Sequence, residues 1–302
     1  MSNEAPPRVP PWIVLVIGIS AVSMASTLIR LAQADIDSLA VAAWRLTLAA
    51  VILAPFALTL RREELRSLTR TEWRLALASG LFLALHFAAW VSSLALTSVA
   101  ASLVLVSTSP LFVGVLAYFF LGEKLSRGMV AGMLLAVVGS AIIAVEDMNS
   151  GTHHLNGDLL ALVGAIGAAG YFLIGKRLRS RLSLLGYVFP VYAIAALALM
   201  AGLILSRLIM PGGSLAGVGA ALAGYGPATW LWLLLLALFP QIIGHSSLNW
   251  ALRHLPATYI SLSVLAEPVS STLLAWMVLQ EEPTLSADRK STRLNSSHRI
   301  RY

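Results

Sequence analysis

Long apolar runs are the feature that most restricts how this chain can fold. Nine runs reach the roughly 20 residues that an α-helix needs to cross the hydrocarbon core of a bilayer. Lipid cannot satisfy exposed backbone N–H and C=O groups, so each run must be helical, and barrel strands would alternate in polarity. We therefore predict an all-α polytopic membrane protein. The nine predicted spans are 12–31, 38–59, 74–94, 99–120, 127–145, 158–176, 185–207, 228–250 and 257–279.

The composition supports this class and excludes several others. Of the 302 residues, 58% are apolar and only 12% are charged, whereas soluble domains carry about 25% charged residues. The absence of cysteine excludes a disulfide framework, a thiolate nucleophile and a Cys-based zinc site. Five of the basic side chains behind the net charge of +7 lie in the last fourteen residues. The basicity therefore belongs to the tail, and we predict no nucleic-acid partner.

Lysine and arginine in the loops indicate the orientation, because cytoplasmic loops are enriched in both. The opposite side receives only Arg30 and Arg207. We therefore predict a multi-pass protein of the cytoplasmic (inner) membrane, with a disordered cytoplasmic start at 1–11 and an external linker at 146–157. The thirteen basic residues of the predicted cytoplasmic side are Arg8, Arg61, Arg62, Arg66, Arg70, Arg74, Lys124, Arg127, Lys176, Arg177, Arg179, Arg181 and Arg253.

Part of the chain recurs within it, since the stretch 86–123 resembles 245–281. Pro110 pairs with Pro268 at an offset of 158 residues, whereas the two histidines that begin the stretches pair at 159. We predict a first repeat over 12–145 and a second over 158–288. Because five spans are an odd number, the second copy inserts in the inverted orientation. Inverted repeats are typical of secondary transporters, which bind substrate near the bilayer midplane between the two copies.

The second copy contains only four predicted spans. A tenth span would have to follow Glu281, but the sequence beyond Pro283 is polar and basic, and such a segment cannot span a bilayer. We therefore expect the second repeat to lack its last helix and residues 289–302 to be a non-native tail.

Polar and aromatic residues inside the spans are the candidates for a substrate site. His86 and Trp90 lie four residues apart and therefore share a helix face, as do His245 and Asn249. Polar groups in hydrocarbon are costly and normally face a bundle interior or a wet cavity. Alternatively, they only join neighbouring helices by hydrogen bonds, and the aromatic residues only pack or anchor at the interface. The predicted substrate contacts are His86, Trp90, His245, Asn249, Trp44 and Tyr171.

Glu267 is the acidic residue that lies well inside a predicted span. It is a candidate for proton or ion coupling or for pairing with a substrate amine, and His86 is a second coupling candidate. The alternative for Glu267 is a structural ion pair, for which Arg45 is a partner inside the second span. Pro110 and Pro268 each remove a backbone donor within a span and so predict kinks, either as hinges or as fixed packing features.

Motifs of enzyme chemistry are missing from the sequence. It contains no HExxH, Walker loop or GxSxG, and we predict a protein that is not an enzyme and that binds no metal or cofactor. Two alternatives stay open at this point: a membrane-embedded enzyme that uses His86 and Glu267 as acid and base, and a non-transporting scaffold. The internal repeat favours transport over both.

Two segments resemble EamA-type proteins of the drug/metabolite transporter superfamily: LHFAAWVSSLALTSVAASLVLVSTSPLF, followed by LGEKLS, and IIGHSSLNWALRHLPATYISLSVLAEPVSSTLLAWMVLQEE. The pair Trp44-Arg45 also fits, and Glu267-Pro268 matches the family's Glu-Pro pair, although Ala266 stands where the family usually has glycine. The resemblance implies a ten-helix fold of two inverted five-helix repeats and secondary transport by alternating access. It also implies export of amino acids or related metabolites, and we expect a monomer.

Overall fold

The computed structural model describes residues 9–135, 138–139, 155–209 and 214–279, and every regular element in those ranges is helical. Eight helical segments within the described part are long and apolar enough to cross a membrane. The predicted all-α polytopic membrane fold is therefore confirmed. The α-helices are α1 (Pro11–Val22), α2 (Ala25–Gln33), α3 (Ser38–Leu60), α4 (Arg62–Arg66), α5 (Arg70–Leu96), α6 (Val99–Val106), α7 (Ser109–Leu121), α8 (127–135), α9 (Leu155–Arg179), α10 (Leu184–Ile209), α11 (Leu215–Ala223), α12 (Pro227–Leu236), α13 (Ser246–His254), α14 (Ala257–Ser263) and α15 (Glu267–Leu279).

Predicted and observed spans agree closely where both can be compared. The span predicted at 38–59 is α3, and the one predicted at 257–279 is the segment formed by α14 and α15. The span predicted at 127–145 begins as α8, but most of its second half lies outside the described residues. Most of the predicted start and linker, and the whole expected tail, also lie outside them.

Local capping explains several of the helix boundaries. The Asp37 carboxylate accepts a hydrogen bond from the Ala40 amide (3.0 Å) and caps the start of α3. Thr69 and Glu72 form a reciprocal capping box at the start of α5. Gly122 ends α7 with a φ of 66°, a left-handed conformation that side-chain-bearing residues rarely adopt.

The internal repeat is visible in the helix boundaries. Helices α6 and α14 begin at residues 158 positions apart, and α7 and α15 begin and end at residues 158 positions apart. Each copy contains the same break, between α6 and α7 in the first and at a 3₁₀ segment (Val264–Ala266) in the second. The prediction of two repeats is confirmed, and the duplicated element is a broken helix followed by an apolar one.

Two further irregularities were not anticipated by the sequence. The span predicted at 12–31 breaks at Ser23, whose hydroxyl donates to the Ile19 carbonyl (2.8 Å). The span predicted at 228–250 contains a π-helical segment, Ala237–His245, with Pro240 inside it. A π-helical turn takes up more residues than an α-helical turn.

Helix α5 of the first copy lies against α9 of the second, and two glycines of α9 set their separation. A Cβ atom on Gly167 would lie 2.7 Å from the backbone nitrogen of His86, and one on Gly164 would lie 3.2 Å from Cβ of Trp90. The close packing of backbones therefore positions both His86 and Trp90 relative to the second copy.

One end of the bundle, here called the basic end, holds α4, the start of α5 and the connection from α9 to α10. The Glu64 carboxylate accepts bonds from the amide and the hydroxyl of Ser183, both 2.6 Å long, and so caps α10. Arg181 pairs with Glu72 there, and the carboxylate raises the pKa of the Arg181 guanidinium. These contacts join the two copies at the basic end.

At the opposite end, different side chains make the equivalent connections. Arg207 of α10 pairs with Asp37 at the start of α3. The hydroxyl of Thr229 donates to Asp35 (2.6 Å). Helix α4 directly follows α3 and carries Glu64, which caps α10 at the basic end. Side-chain contacts therefore connect α3 and α10 at both ends of the membrane-spanning region.

Candidate functional site

A cavity lies where the broken helices of the two copies meet. The centre of a water molecule can reach about 50 Å³ within it. Ligand cavities typically measure about 300–1,000 Å³, and one water needs roughly 10–15 Å³ of reachable volume. This conformation therefore holds a few waters or a very small solute. The lining residues are Val22, Ala25, His86, Trp90, Val106, Ser107, Ser109, Ala168, Tyr171, Phe172, His245, Leu248, Ser261, Val264, Leu265 and Glu267.

Every helix irregularity described above contributes to this lining. Val22 and Ala25 flank the break between α1 and α2, Ser107 lies in the break between α6 and α7, and Val264 begins the 3₁₀ segment. His245 ends the π-helical segment. Discontinuous helices that meet at the centre of the bundle are the usual framework of a transporter's binding site, because their free backbone ends can interact with substrate or ions.

His86 and Trp90 form the side of the cavity that the first copy contributes. Nδ1 of His86 lies 2.9 Å from the Gly164 carbonyl oxygen, which fixes the ring against α9. The Trp90 ring stacks on it with centroids 5.7 Å apart and planes 14° apart. The buried Nε1 of Trp90 has no hydrogen-bond partner among the described residues. Buried donors are normally paired, so this N–H is available to a ligand or a water.

His245 occupies the facing side of the cavity. Its ring centroid lies 6.4 Å from that of His86, 5.3 Å from that of Phe87 and 6.3 Å from that of Tyr171. Its Nδ1 is buried and has no partner in the described part of the chain. The structure thus brings the two histidines together from different copies.

Asn249 and Trp44 are the two predicted contacts that do not line the cavity. The Asn249 amide donates to the Tyr171 hydroxyl and to the His245 carbonyl oxygen (2.7 Å), so it holds a lining side chain from behind. Trp44 packs edge-on against Trp230, with ring centroids 4.9 Å apart.

Glu267 lines the cavity as the first residue of α15 and is half-buried. Arg45 is completely buried nearby, where its Nε donates to Oε1 of Gln241 (2.9 Å) and its guanidinium lies 4.2 Å from the centre of the Phe87 ring. No ion pair within 4.0 Å joins these two residues among those described, so Glu267 keeps its carboxylate for the cavity.

Four polar or aromatic lining residues were missed by the sequence reasoning: Ser107, Ser109, Phe172 and Ser261. Ser109 could have been found, because it lies 158 positions before Glu267 and so occupies the equivalent place in the first copy. Phe172 is adjacent to the predicted Tyr171 and carries no separate sequence signal.

The electrostatics of the two equivalent helix starts differ. The first turn of α7 contains no acidic residue, whereas the first turn of α15 contains Glu267. A helix N-terminus carries a partial positive charge and favours anions, unless a nearby carboxylate compensates it. The cavity lining includes neither lysine nor arginine. The two equivalent helix starts therefore present different charges to the cavity.

The part of the chain that the structure describes contains no candidate metal site. No group of three or more His, Asp or Glu side chains there is arranged to hold a metal ion. His86 and Glu267 share the cavity, but no hydrogen bond joins them among the described residues, where His86 bonds to Gly164 instead.

Curated relatives include two transporters of Bacillus subtilis. The protein named uncharacterized transporter YetK is 27% identical over 186 residues, which cover 59% of this chain and 52% of the relative. YdfC, also named an uncharacterized transporter, is 23% identical over 60% of this chain and 55% of its own length. An uncharacterized transporter of Archaeoglobus fulgidus is 27% identical, over 60% of each chain. The matches thus span little more than half the length of these relatives.

The fold and the family are shown by two further comparisons. A protein known from its crystal structure superposes with a TM-score of 0.64 at 19% identity, over 91% of this chain and 90% of that one, so the fold is shared. The EamA-like transporter family matches twice, at residues 11–145 and 155–287. Two family matches, two copies of the broken helix and a cavity between them show that this chain belongs to the EamA-like transporter family.

Proposed function

We propose that this membrane transporter exports a small zwitterionic metabolite, an amino acid or a close relative of one, by alternating access. The observation that carries the proposal is the cavity itself. The first copy contributes His86 and Trp90 to its lining, and the second contributes His245 and Glu267. A site shared between two repeats opens to either side when the repeats rock against each other.

The ammonium group of the substrate would pair with Glu267. This carboxylate lines the cavity, has no ion-pair partner within 4.0 Å among the described residues, and lies where polar groups are costly unless they serve a specific purpose. A buried carboxylate that pairs with an ammonium group gains a charge-assisted hydrogen bond, which is about twice as strong as a neutral one.

The carboxylate of the substrate would bind at the start of α7. The hydroxyls of Ser107 and Ser109 line the cavity there and make no hydrogen bond to another described residue. The start of α7 adds the partial positive charge of a helix N-terminus, which favours an anion. Because Ser109 and Glu267 are equivalent in the two copies, the two charges of a zwitterion would be bound by corresponding positions.

The remaining lining favours an apolar or aromatic side chain on the substrate. Trp90, Tyr171 and Phe172 present ring surfaces to the cavity, and aromatic faces bind apolar groups over a large area. The reachable space of about 50 Å³ is too small for such a substrate, so the copies must move apart to admit it. This is the motion that alternating access requires.

The proposed orientation rests on the arginines and lysines of the basic end. Glu64, Glu72 and Lys176 make their inter-helix contacts among those basic residues, and the positive-inside rule assigns such an end to the cytoplasm. We propose that the protein lies in the cytoplasmic membrane with its N-terminus and its basic end inside.

An efflux assay tests the proposal. Cells that carry the chain and are loaded with a panel of amino acids should release at least one of them faster than cells that carry His86→Ala at equal protein level, because that variant loses a lining ring. Equal rates for all compounds would contradict the proposed substrate class. Proton coupling through Glu267 or His86 predicts that collapse of the proton gradient abolishes accumulation, whereas facilitated diffusion would still equilibrate the substrate.

A further inference from the structure

The inner halves of two broken helices lie between the cavity and the basic end. Helix α7 runs from Ser109 at the cavity for thirteen residues, or about 20 Å, toward the basic end. Helix α14 begins at the basic end with Ala257 and runs to the cavity, where Ser261 is part of the lining. The two helices pack against each other although they belong to different copies. Access from the basic end therefore requires that α7 and α14 separate.

Glu123 joins these two helices. It follows Gly122, whose left-handed conformation turns the chain at the end of α7. One carboxylate oxygen of Glu123 accepts from the Ala257 amide (2.8 Å). The other accepts from the amide and the hydroxyl of Thr258, at 3.2 and 2.9 Å. A residue of the first copy thus caps a helix of the second.

The equivalent helix of the first copy has a cap of its own. The Ser98 hydroxyl accepts from the Ala101 amide (3.1 Å) and caps α6 locally. In α14 the corresponding cap position is Pro256, which makes no side-chain cap and has no hydroxyl with which to do so. The second copy therefore lacks a local cap at the place where Glu123 supplies one from across the interface.

Lys176 fixes the other side of the same corner. Its ammonium group donates to the carbonyl oxygens of Leu252 and Leu255, both at 2.9 Å, and so binds the end of α13 to α9. Lys176, α9 and α13 all belong to the second copy, so this contact can persist while the copies separate. Glu123, in contrast, must release its three hydrogen bonds.

We propose that Glu123, Ala257 and Thr258 form a latch that keeps the cavity closed toward the basic end and must open in each transport cycle. The latch rests on the proposed function, because it controls access to the same cavity. It makes Glu123 a gating residue that never touches the substrate. Lys176 is a positioning residue that holds the receiving helix start in place.

Cysteine labelling tests the latch without any substrate. The chain contains no cysteine, so Ser261→Cys supplies a single thiol in the cavity lining on α14. Sealed membrane vesicles would receive a membrane-impermeant maleimide on the side of the basic end. A separate Ser67→Cys variant, at an exposed position of the basic end, reports vesicle orientation. Addition of Glu123→Ala to Ser261→Cys should raise the labelling rate about tenfold, because charge-assisted hydrogen bonds that close the latch are lost.

Two control variants separate the latch from simple helix capping. Glu63→Ala removes an exposed glutamate of α4 at the same end and should leave the rate unchanged. Pro256→Ser, combined with Glu123→Ala, gives α14 a local cap like that of α6 and should restore the stability of the helix start while labelling remains fast.

The outcomes distinguish the latch from the proposed function. All variants are compared with Ser261→Cys alone and carry the same thiol. A return to that reference labelling rate when Pro256→Ser is added to Glu123→Ala would show that Glu123 only caps α14 and would overturn the latch. The reference rate in Glu123→Ala, or an equal increase in Glu63→Ala, would overturn it as well. None of these results depends on a transported compound, so failure to find an amino-acid substrate would contradict the proposed function and leave the labelling result intact.

Discussion

The two copies of the broken helix have the same geometry and different chemistry. Helices α7 and α15 begin and end at residues 158 positions apart, yet α7 begins with Ser109 and α15 with Glu267. The preceding helices α6 and α14 also begin 158 positions apart, yet only α6 has a local cap. The duplicated fold determines where the helices break. We propose that single substitutions at equivalent positions then decide which charge the cavity binds and how one end is closed.

The largest effect on substrate affinity is expected at Glu267, the acidic residue of the equivalent pair Ser109 and Glu267. Glu267→Gln removes the negative charge that we propose binds the substrate ammonium group. Bound substrate would bury this ion pair, and loss of one partner from a buried ion pair costs about 3–5 kcal/mol. Affinity for an exported amino acid should therefore fall about 100-fold or more, as measured by the concentration for half-maximal export. An unchanged affinity, at normal protein level, would remove Glu267 from the substrate site.

The next largest effect, on thermal stability, is expected for a substitution at the contact between α5 and α9. Gly167→Ala would place a Cβ atom 2.7 Å from the His86 backbone nitrogen, and overpacking of this kind costs about 1–3 kcal/mol. The melting temperature in detergent should fall. Gly128→Ala is the matched control, because the nearest atom to its Cβ would lie 3.9 Å away. A melting temperature that falls equally in both variants would contradict the close-packing account.

Substitution of Ser109, the neutral residue that corresponds to Glu267, should reduce substrate affinity less and more selectively. Ser109→Ala removes one hydroxyl proposed to bind the substrate carboxylate, and a hydrogen bond to a charged group contributes about 1.5–3 kcal/mol. Affinity for an amino acid should fall about tenfold, whereas affinity for the corresponding amine, which lacks the carboxylate, should not change. Equal losses for both compounds would show that Ser109 acts on packing instead.

The smallest effect, on the free energy of unfolding, is expected at the starts of α6 and α14. Ser98→Ala removes the local cap of α6 and should lower the free energy of unfolding by about 1 kcal/mol. Pro256→Ala removes no side-chain cap from α14 and should cost clearly less. Chemical denaturation in detergent measures both free energies of unfolding. A larger decrease for Pro256→Ala than for Ser98→Ala would contradict the difference between the locally capped α6 and the uncapped α14.

Much of this arrangement was predictable from the sequence. Apolar run length defines the spans because the bilayer thickness does, and the offset of 158 residues located both breaks near Pro110 and Pro268. Of the predicted contacts, His86, Trp90, His245 and Tyr171 line one cavity together with Glu267. Residues that are costly in hydrocarbon thus converge on the cavity, as expected.

Helical spacing did not predict that Asn249 lies outside the cavity lining. It identifies a shared face but not the depth of a residue in the membrane. Helix α5 begins at the basic end, whereas α13 ends there, as their contacts with Arg181 and Lys176 show. A step of four residues, about 6 Å, therefore moves from His86 away from the basic end and from His245 toward it. Trp90 stays in the cavity and Asn249 lies behind Tyr171.

Other features depend on contacts that no local pattern reveals. Trp44 packs against Trp230, which lies far away in the sequence, and Glu123 caps a helix start 134 residues further along the chain. The breaks at Ser23 and in the π-helical segment arise without a duplicated proline. Sequence periodicity reports a helix and its faces, whereas the partners of Trp44 and Glu123 are set by the fold of the other copy.

Equilibrium binding of a matched set of compounds tests most directly the claim that the two copies bind the two charges of one substrate. Purified protein would be titrated with the best exported amino acid, its N-acetyl derivative and its methyl ester. We predict that each derivative binds at least about tenfold more weakly, since each loses one charge-assisted contact. Glu267→Gln should abolish only the discrimination against the N-acetyl derivative, and Ser109→Ala should reduce only that against the ester. Equal binding of all three compounds by the unaltered protein would contradict the account.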